Sequence, residues 1–305
     1  MKITHAVYGA IPPELIAVRS DAIQLSPFVP GATALEDIAD ASLASIAIFA
    51  PPGTLERRFV LAHALRALGA AGDFTALAPR NRGGARLRGE LAEFGLETEE
   101  IAKSHFRVCA GSRPAALPSL ESPIAAGGQQ FVPATGLWSQ PGIFSWDRID
   151  PGSRLLVEHL PNLTGSGADL GCGAGFLSRH ILAAPGVKVL ALVDIDRRAI
   201  AAARRNVTDE RASFHWLDVA LPLPFPGAID FVVTNPPFHR EGSEDRTLGV
   251  AVARRAAHLL KAGGELWLVA NRHLSYAPAL HDDFAQVTLV AQSKEFRVYR
   301  AVRGR

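Results

Sequence analysis

The chain has 305 residues, 48% of them hydrophobic and 20% charged, which is length for two ordinary domains and apolar material for two cores. Low hydrophobicity with high net charge keeps a chain disordered, and this one has neither, so it is a globular protein. A formal net charge of +2 excludes a polybasic, histone-like grip on nucleic acid and leaves room only for a local basic patch.

In chain order, the N-terminal MKITHAVYGAIPPELIAVRS has one Lys, and Pro12, Pro13 and Glu14 interrupt its apolar run, unlike a secretory signal. The two cysteines, Cys109 and Cys172, are expected to stay reduced, in keeping with a cytoplasmic location. Hydrophobic patterning predicts a strand over 45–49, a helix over 54–68, a strand over 74–78, a helix over 85–94 and a strand over 105–110. The uncharged stretch 122–146 contains repeated Pro, Gly, Gln and Ser where a membrane span needs continuous aliphatic residues, and it reads as a linker. Beyond it come a helix over 154–160, a strand ending at Leu170, a helix over 176–183, a strand over 187–193 and a helix over 197–206. Strands over 214–217 and 229–234, a helix over 248–260, a strand over 265–270 and two closing strands around Val287 and Phe296 complete the chain. Such alternation predicts a mostly parallel sheet covered by helices on both faces. The expected division is 1–121, a linker at 122–146, and 147–305.

The two halves share punctuation. Pro51-Pro52 matches Pro236-Pro237, Gly72 matches Gly264, and Phe106-Arg107-Val108 matches Phe296-Arg297-Val298, a pattern that reads as a duplication. Only the second half has a glycine-rich turn, and the Asn before its Pro-Pro pair is replaced by Ala50 in the first. One half has lost its site.

That turn, ADLGCGAGF at 168–176, ends an apolar strand and opens a helix. A dinucleotide fingerprint needs a glycine where Phe176 stands, and Asp169 would repel a pyrophosphate while suiting a cationic ligand end, so NAD is disfavoured. Cys172 reads as a packing residue and Asp196 as a helix cap. The D-x-G-x-G-x-G pattern resembles the cofactor motif of the Rossmann-like, class I S-adenosylmethionine methyltransferases. The resemblance implies that Asp169 and the backbone at Gly171 and Gly173 hold the methionine part of S-adenosyl-L-methionine. It further implies that Asp194, with Ile195 beside it, meets the ribose hydroxyls, and that Asp218 meets the adenine amine. No metal site is expected.

After the strand IDFVV comes Asn235-Pro236-Pro237-Phe238-His239. Consecutive prolines fix φ and remove two N–H donors, so the segment presents carbonyls rigidly. A planar conjugated amine is a poor nucleophile; two acceptors on its hydrogens, the Asn235 side-chain oxygen and the Pro236 carbonyl, can pull its nitrogen toward tetrahedral geometry. Phe238 can stack on a flat substrate. With its spacing from the glycine turn, this corner resembles the amino-methylating branch of the family, which also gives Asn235 a place beside the cofactor.

The wider sequence, PGIFSWDRIDPGSRLLVEHLP, NPPFH, GGELWLVANRHLSY and KEFRVYR, is similar to the ribosomal RNA guanine-N2 methyltransferases, most of all the small-subunit (16S) type. The resemblance implies an active C-terminal domain preceded by a degenerate, related α/β domain, with ribosomal RNA or the small ribosomal subunit as partner. It implies substrate contacts at Phe144, Phe238, His239 and Arg240, with Ser145 also near the pocket. Arg80, Arg82, Arg86 and Arg88 form one candidate phosphate patch, and Arg240, Arg246, Arg254, Arg255 and Arg272 another. Alternatives are a protein glutamine or adenine N6 methyltransferase, or an inactive cofactor-binding RNA-binding protein. No membrane association is expected, and the oligomeric state is left open.

Overall fold

Each of two units builds its own mostly parallel sheet. The structure, a computed structural model, describes residues 4–223, 228–236, 239–240, 243–244, 246–274 and 277–304. The units are Met1–Gln129 with Gln140–Gly142, and Gln130–Ser139 with Ile143–Arg305.

The first unit runs β1 (His5–Tyr8), β2 (Ile23–Gln24), β3 (Leu43–Phe49), α1 (Thr54–Ala67), β4 (Leu68–Pro79), α2 (Ala85–Glu93), β5 (Thr98–Lys103), β6 (Phe106–Ser112) and α3 (Glu121–Gly127). Its sheet order is β2-β1-β3-β4-β6-β5, parallel as far as β4 and antiparallel beyond. Apolar alternation on β3 and β4 meets the almost wholly buried α1, and together they make its core.

The second unit runs β7 (Gln130–Val132), β8 (Leu137–Ser139), α4 (Pro151–His159), β9 (Gly165–Leu170), α5 (Phe176–Leu182), β10 (Val187–Asp194), α6 (Arg197–Asn206) and β11 (Ala212–Trp216). It continues with β12 (Ile229–Thr234), β13 (His239–Arg240), β14 (Ser243–Glu244), α7 (Arg246–Leu259), β15 (Leu260–Asn271), α8 (Ala277–Asp283), β16 (Gln286–Gln292) and β17 (Phe296–Val302). Its main sheet has the order β11-β10-β9-β12-β15-β17-β16. Period-two alternation sends Val232, Leu266 and Leu268 toward α7 and α8, while Phe231, Val233, Trp267 and Val269 join α4, α5 and α6 on the other face.

The duplication holds for six strands, β1, β2, β3, β4, β5 and β6 occupying the places of β9, β10, β12, β15, β16 and β17, while β11 has no counterpart among the described residues of the first unit. In each unit a 14-residue helix passes directly into a 12-residue strand. The register shifts at the same point as well, between Leu43 and Ser45 against β4 and between Ile229 and Phe231 against β15. Gly72 and Gly264 sit at that irregularity; a Cβ would lie 3.0 Å from the Ala44 carbonyl oxygen at the first and 3.0 Å from that of Lys261 at the second.

Several elements differ from expectation. β1, β2 and β5 were not predicted, because two are very short and β5, TEEIAK, is an exposed charged edge strand without a buried alternation. β4 begins immediately after α1, several residues before the predicted strand. The expected linker at 122–146 carries most of α3 and the hairpin β7–β8. The hairpin is anchored from α6: Asn206 Oδ1 accepts from Trp138 N at 2.8 Å, Asn206 Nδ2 donates to the Trp138 carbonyl at 2.8 Å, and the Arg205 guanidinium lies 3.2 Å over the Trp138 ring.

At the end of β3, where the first unit has Ala50-Pro51-Pro52, the corner is filled from inside. Arg57 of α1, 1% exposed, donates through Nη1 to the carbonyls of Pro51 (3.0 Å) and Pro52 (2.8 Å), and through Nε and Nη2 to the two carboxylate oxygens of Glu90, each at 2.6 Å. Removing one partner leaves the other as an uncompensated buried charge. Glu90→Ala should therefore destabilise the first unit by about 3–5 kcal/mol in urea denaturation, whereas breaking the exposed pair Arg19–Asp21 should have little effect.

Candidate active site

The sheet order reverses between β9 and β12, and the crevice beyond the carboxyl ends of such strands is where open α/β sheets bind ligands. The register of β9 sets Leu170 beside Val193 on β10 and Thr234 on β12. Asp169, Asp194, Asp218 and Asn235 therefore reach one edge of the sheet.

The turn after β9 needs its glycines. Gly171, Gly173 and Gly175 have φ of 76°, 54° and 89°, and a Cβ on Gly173 would meet nothing within 4 Å, which leaves that face of the turn open. Gly171 N and Cys172 N both donate to the Val193 carbonyl, at 2.8 and 3.0 Å, and Gly173 N donates to Asp194 Oδ2 at 2.8 Å. Cys172 is buried and its thiol pKa is pushed well above the usual range, so it packs rather than reacts. Asp196 caps α6 by accepting from Arg198 N at 2.9 Å.

Asp169 is wholly buried. Its Oδ2 accepts from Ser178 Oγ at 2.6 Å, and its Oδ1 has no hydrogen-bond partner among the described residues. Burial pushes its pKa up to about 7, against the Ser178 hydrogen bond and with a further push from Asp194. Asp194, half-buried at the end of β10, accepts from Gly173 N and, through Oδ1, from Asp196 N at 2.8 Å; desolvation lifts its pKa to about 6. The Ile195 carbonyl beside it accepts from Trp216 Nε1 at 2.8 Å. Asp218, two residues past β11, closes a turn by accepting from Ala220 N at 2.8 Å. A buried carboxylate with an orphaned oxygen suits an ammonium donor, and half-buried carboxylates at the next strand ends suit hydroxyl and amine donors. The residues fit S-adenosyl-L-methionine.

Directly after β12 the Asn235 amide nitrogen donates to Asp150 Oδ2 and to Ser153 Oγ, both at 2.9 Å. A carboxylate only accepts, so its neighbour has to be the NH₂ end, and nothing among the described residues donates to Asn235 Oδ1. Asp150 and Ser153 belong to the start of α4, and no site role is expected for them from sequence, where Asp-Pro-Gly-Ser reads only as a helix start. Pro236 is buried, Phe238 lies outside the described residues, and of His239 and Arg240 only the backbone is described, paired with Ser243–Glu244. Phe144 is 56% exposed on the segment leading to α4, followed by Ser145 at a φ of 52°. Among the arginines, Arg254 pairs with Asp283 and Arg255 reaches the Ala220 carbonyl, while Arg80, Arg86, Arg88 and Arg272 are exposed. Among the described residues no His, Cys, Asp and Glu cluster could hold a metal ion.

Sheet order, glycine turn and the acids at successive strand ends are those of a class I, S-adenosylmethionine-dependent methyltransferase. Residues 134–300 match the family model of the Methyltransferase small domain. The ribosomal RNA small subunit methyltransferase C of Pseudomonas paraeruginosa is 32% identical over 295 residues, covering 92% of this chain and 86% of the relative. That of Pseudomonas entomophila is 32% identical over 265 residues, covering 81% and 76%. The solved 16S rRNA N2 methyltransferase RsmC of T. thermophilus, in complex with AdoMet and guanosine, superposes with a TM-score of 0.74 at 24% identity, covering 89% of this chain and 76% of that one. The chain belongs to the ribosomal RNA small subunit methyltransferase C family.

Because Asp169 holds a proton in the folded chain that the unfolded chain has released, stability without cofactor should fall as pH rises from about 4 to about 7. Asp169→Asn should reduce that slope in chemical denaturation, leaving the part between about pH 4 and about pH 6 that the raised pKa of Asp194 contributes. Cofactor affinity, read by calorimetry, should move the other way and rise as the carboxylate ionises.

Proposed function

We propose that this chain transfers a methyl group from S-adenosyl-L-methionine to the exocyclic N2 amine of a guanine in ribosomal RNA of the small subunit (16S). The observation that carries this reading is the orientation of Asn235, whose donor end is fixed to α4 and whose acceptor end has no partner among the described residues.

Asp169 Oδ1 would receive the ammonium of the cofactor, Asp194 and the neighbouring Ile195 its ribose, and Asp218 its adenine amine, over the open face at Gly173 and beside the backbone of Gly171. Bound there, the cofactor supplies a methyl carbon made electrophilic by a sulfonium sulfur. Asn235 Oδ1 and the Pro236 carbonyl accept the two hydrogens of the amine, tilt its nitrogen out of conjugation and aim the lone pair. Phe238 stacks on the base, with Phe144, His239 and Arg240 as its further contacts. No strong base is needed, since the proton can leave to solvent once the nitrogen has attacked. Arg272, His273 and Lys294 border a cleft at the carboxyl end of β15, the strand next to β12, and are suited to phosphates flanking the target base. No helix among the described residues is long and apolar enough to cross a membrane; a ribosomal RNA substrate is consistent with a cytoplasmic enzyme.

Asn235→Ala should lower kcat by roughly 100-fold or more, about 3 kcal/mol, with cofactor affinity nearly unchanged; equal loss of both would make the Asn structural. Asp194→Ala should weaken cofactor binding in calorimetry, and unchanged affinity would remove its ribose assignment. Labelled transfer to separated ribosomal RNAs, subunits and proteins, with nucleoside analysis, should give N2-methylguanosine from the small-subunit RNA.

A further inference from the structure

The Asn235 amide is oriented by residues 85 and 82 positions earlier in the chain. Torsion of an amide about its terminal bond is broad and nearly two-fold, so an unrestrained asparagine would also sample the reversed state, with its NH₂ toward the substrate amine and two donors opposed. Asp150 Oδ2 removes that freedom, because reversal would bring the amide oxygen against a carboxylate oxygen. The same Oδ2 accepts from Ser153 N at 2.7 Å, so one atom caps α4 and holds Asn235. The start of α4 is itself packed tightly, since a Cβ on Gly152 would lie 2.8 Å from the Phe296 ring of β17. We propose that Asp150 is a positioning residue for Asn235, with Ser153 completing the grip; this rests on the reading of Asn235 as the acceptor of the substrate amine. Accepted by a carboxylate, the amide N–H bonds polarise so that electron density moves from nitrogen toward the carbonyl oxygen, which also makes Oδ1 a better acceptor as positive charge develops on the attacking nitrogen.

Asp150→Ser keeps a helix-capping oxygen but removes the carboxylate. In the full chain it should keep cofactor affinity within about twofold and lower kcat by about 100-fold. Asp150→Asn, which retains an acceptor in the same place, should recover much of that loss. Unchanged kcat in Asp150→Ser beside an inactive Asn235→Ala would overturn the proposal, whereas an active Asn235→Ala would instead sink the acceptor reading. Should Asp150→Ser fail to fold, Ser153→Ala decides: a fall in kcat of about tenfold at unchanged KM supports the clamp, and no fall overturns it.

Discussion

A carboxylate wholly out of water with one oxygen unpaired is an expensive thing to keep in a protein, and Asp169 is such a group. It sits at the carboxyl end of β9, one of the two strands between which the sheet order reverses, and the surrounding features follow from that location. The glycines of the next turn carry the backbone away without closing the space beside it. Asp194 braces the turn through Gly173 N instead of through a cation. A second carboxylate close by raises the cost of ionisation, so the edge is set up to be neutralised by a ligand that brings its own positive charge and donors.

The two units solve the same architectural problem with opposite electrostatics. In the first, the fold supplies the guanidinium itself: Arg57 satisfies two proline carbonyls and is in turn neutralised by Glu90, giving a closed, fully paired corner. In the second, among the described residues, the corner residue Asn235 is paired on one side only, and the acid nearest the glycine turn is left incomplete. Shared register shifts, helix lengths and strand order show how little of the scaffold had to change for one copy to become self-satisfied.

What was legible in the sequence is what local physics controls. Glycines at positive φ, acids at strand ends and a Pro-Pro stop each leave a mark within a few residues, and all three are readable from the sequence alone. The duplication showed through the same punctuation, Pro51-Pro52 and Gly72 against Pro236-Pro237 and Gly264. The short strands β1 and β2 were invisible because they owe their pairing to β3 rather than to their own composition. The β7–β8 hairpin looked like a linker because its anchor, Asn206, is remote in sequence. Asp150 reads as a helix cap, which it is; that the same oxygen also holds Asn235 depends on where β12 ends relative to α4, and only tertiary structure determines that.

The choice of asparagine at the corner follows from its two ends. An aspartate at position 235 would face the Asp150 carboxylate at hydrogen-bond distance, and one of the two would have to take up a proton, leaving a hydroxyl whose direction is not fixed. A serine could accept from the substrate amine but has no second arm to reach α4. Glutamine has both ends yet adds a rotatable bond, and with it a set of poses in which the acceptor points elsewhere. Asparagine alone combines a donor pair that a carboxylate and a hydroxyl can hold with an acceptor at a fixed distance on the other side. In the proposed mechanism a neutral amine is then drawn out of conjugation without a charged base beside it, and the carboxylate that supports the developing cation stays one hydrogen bond further back, at Asp150.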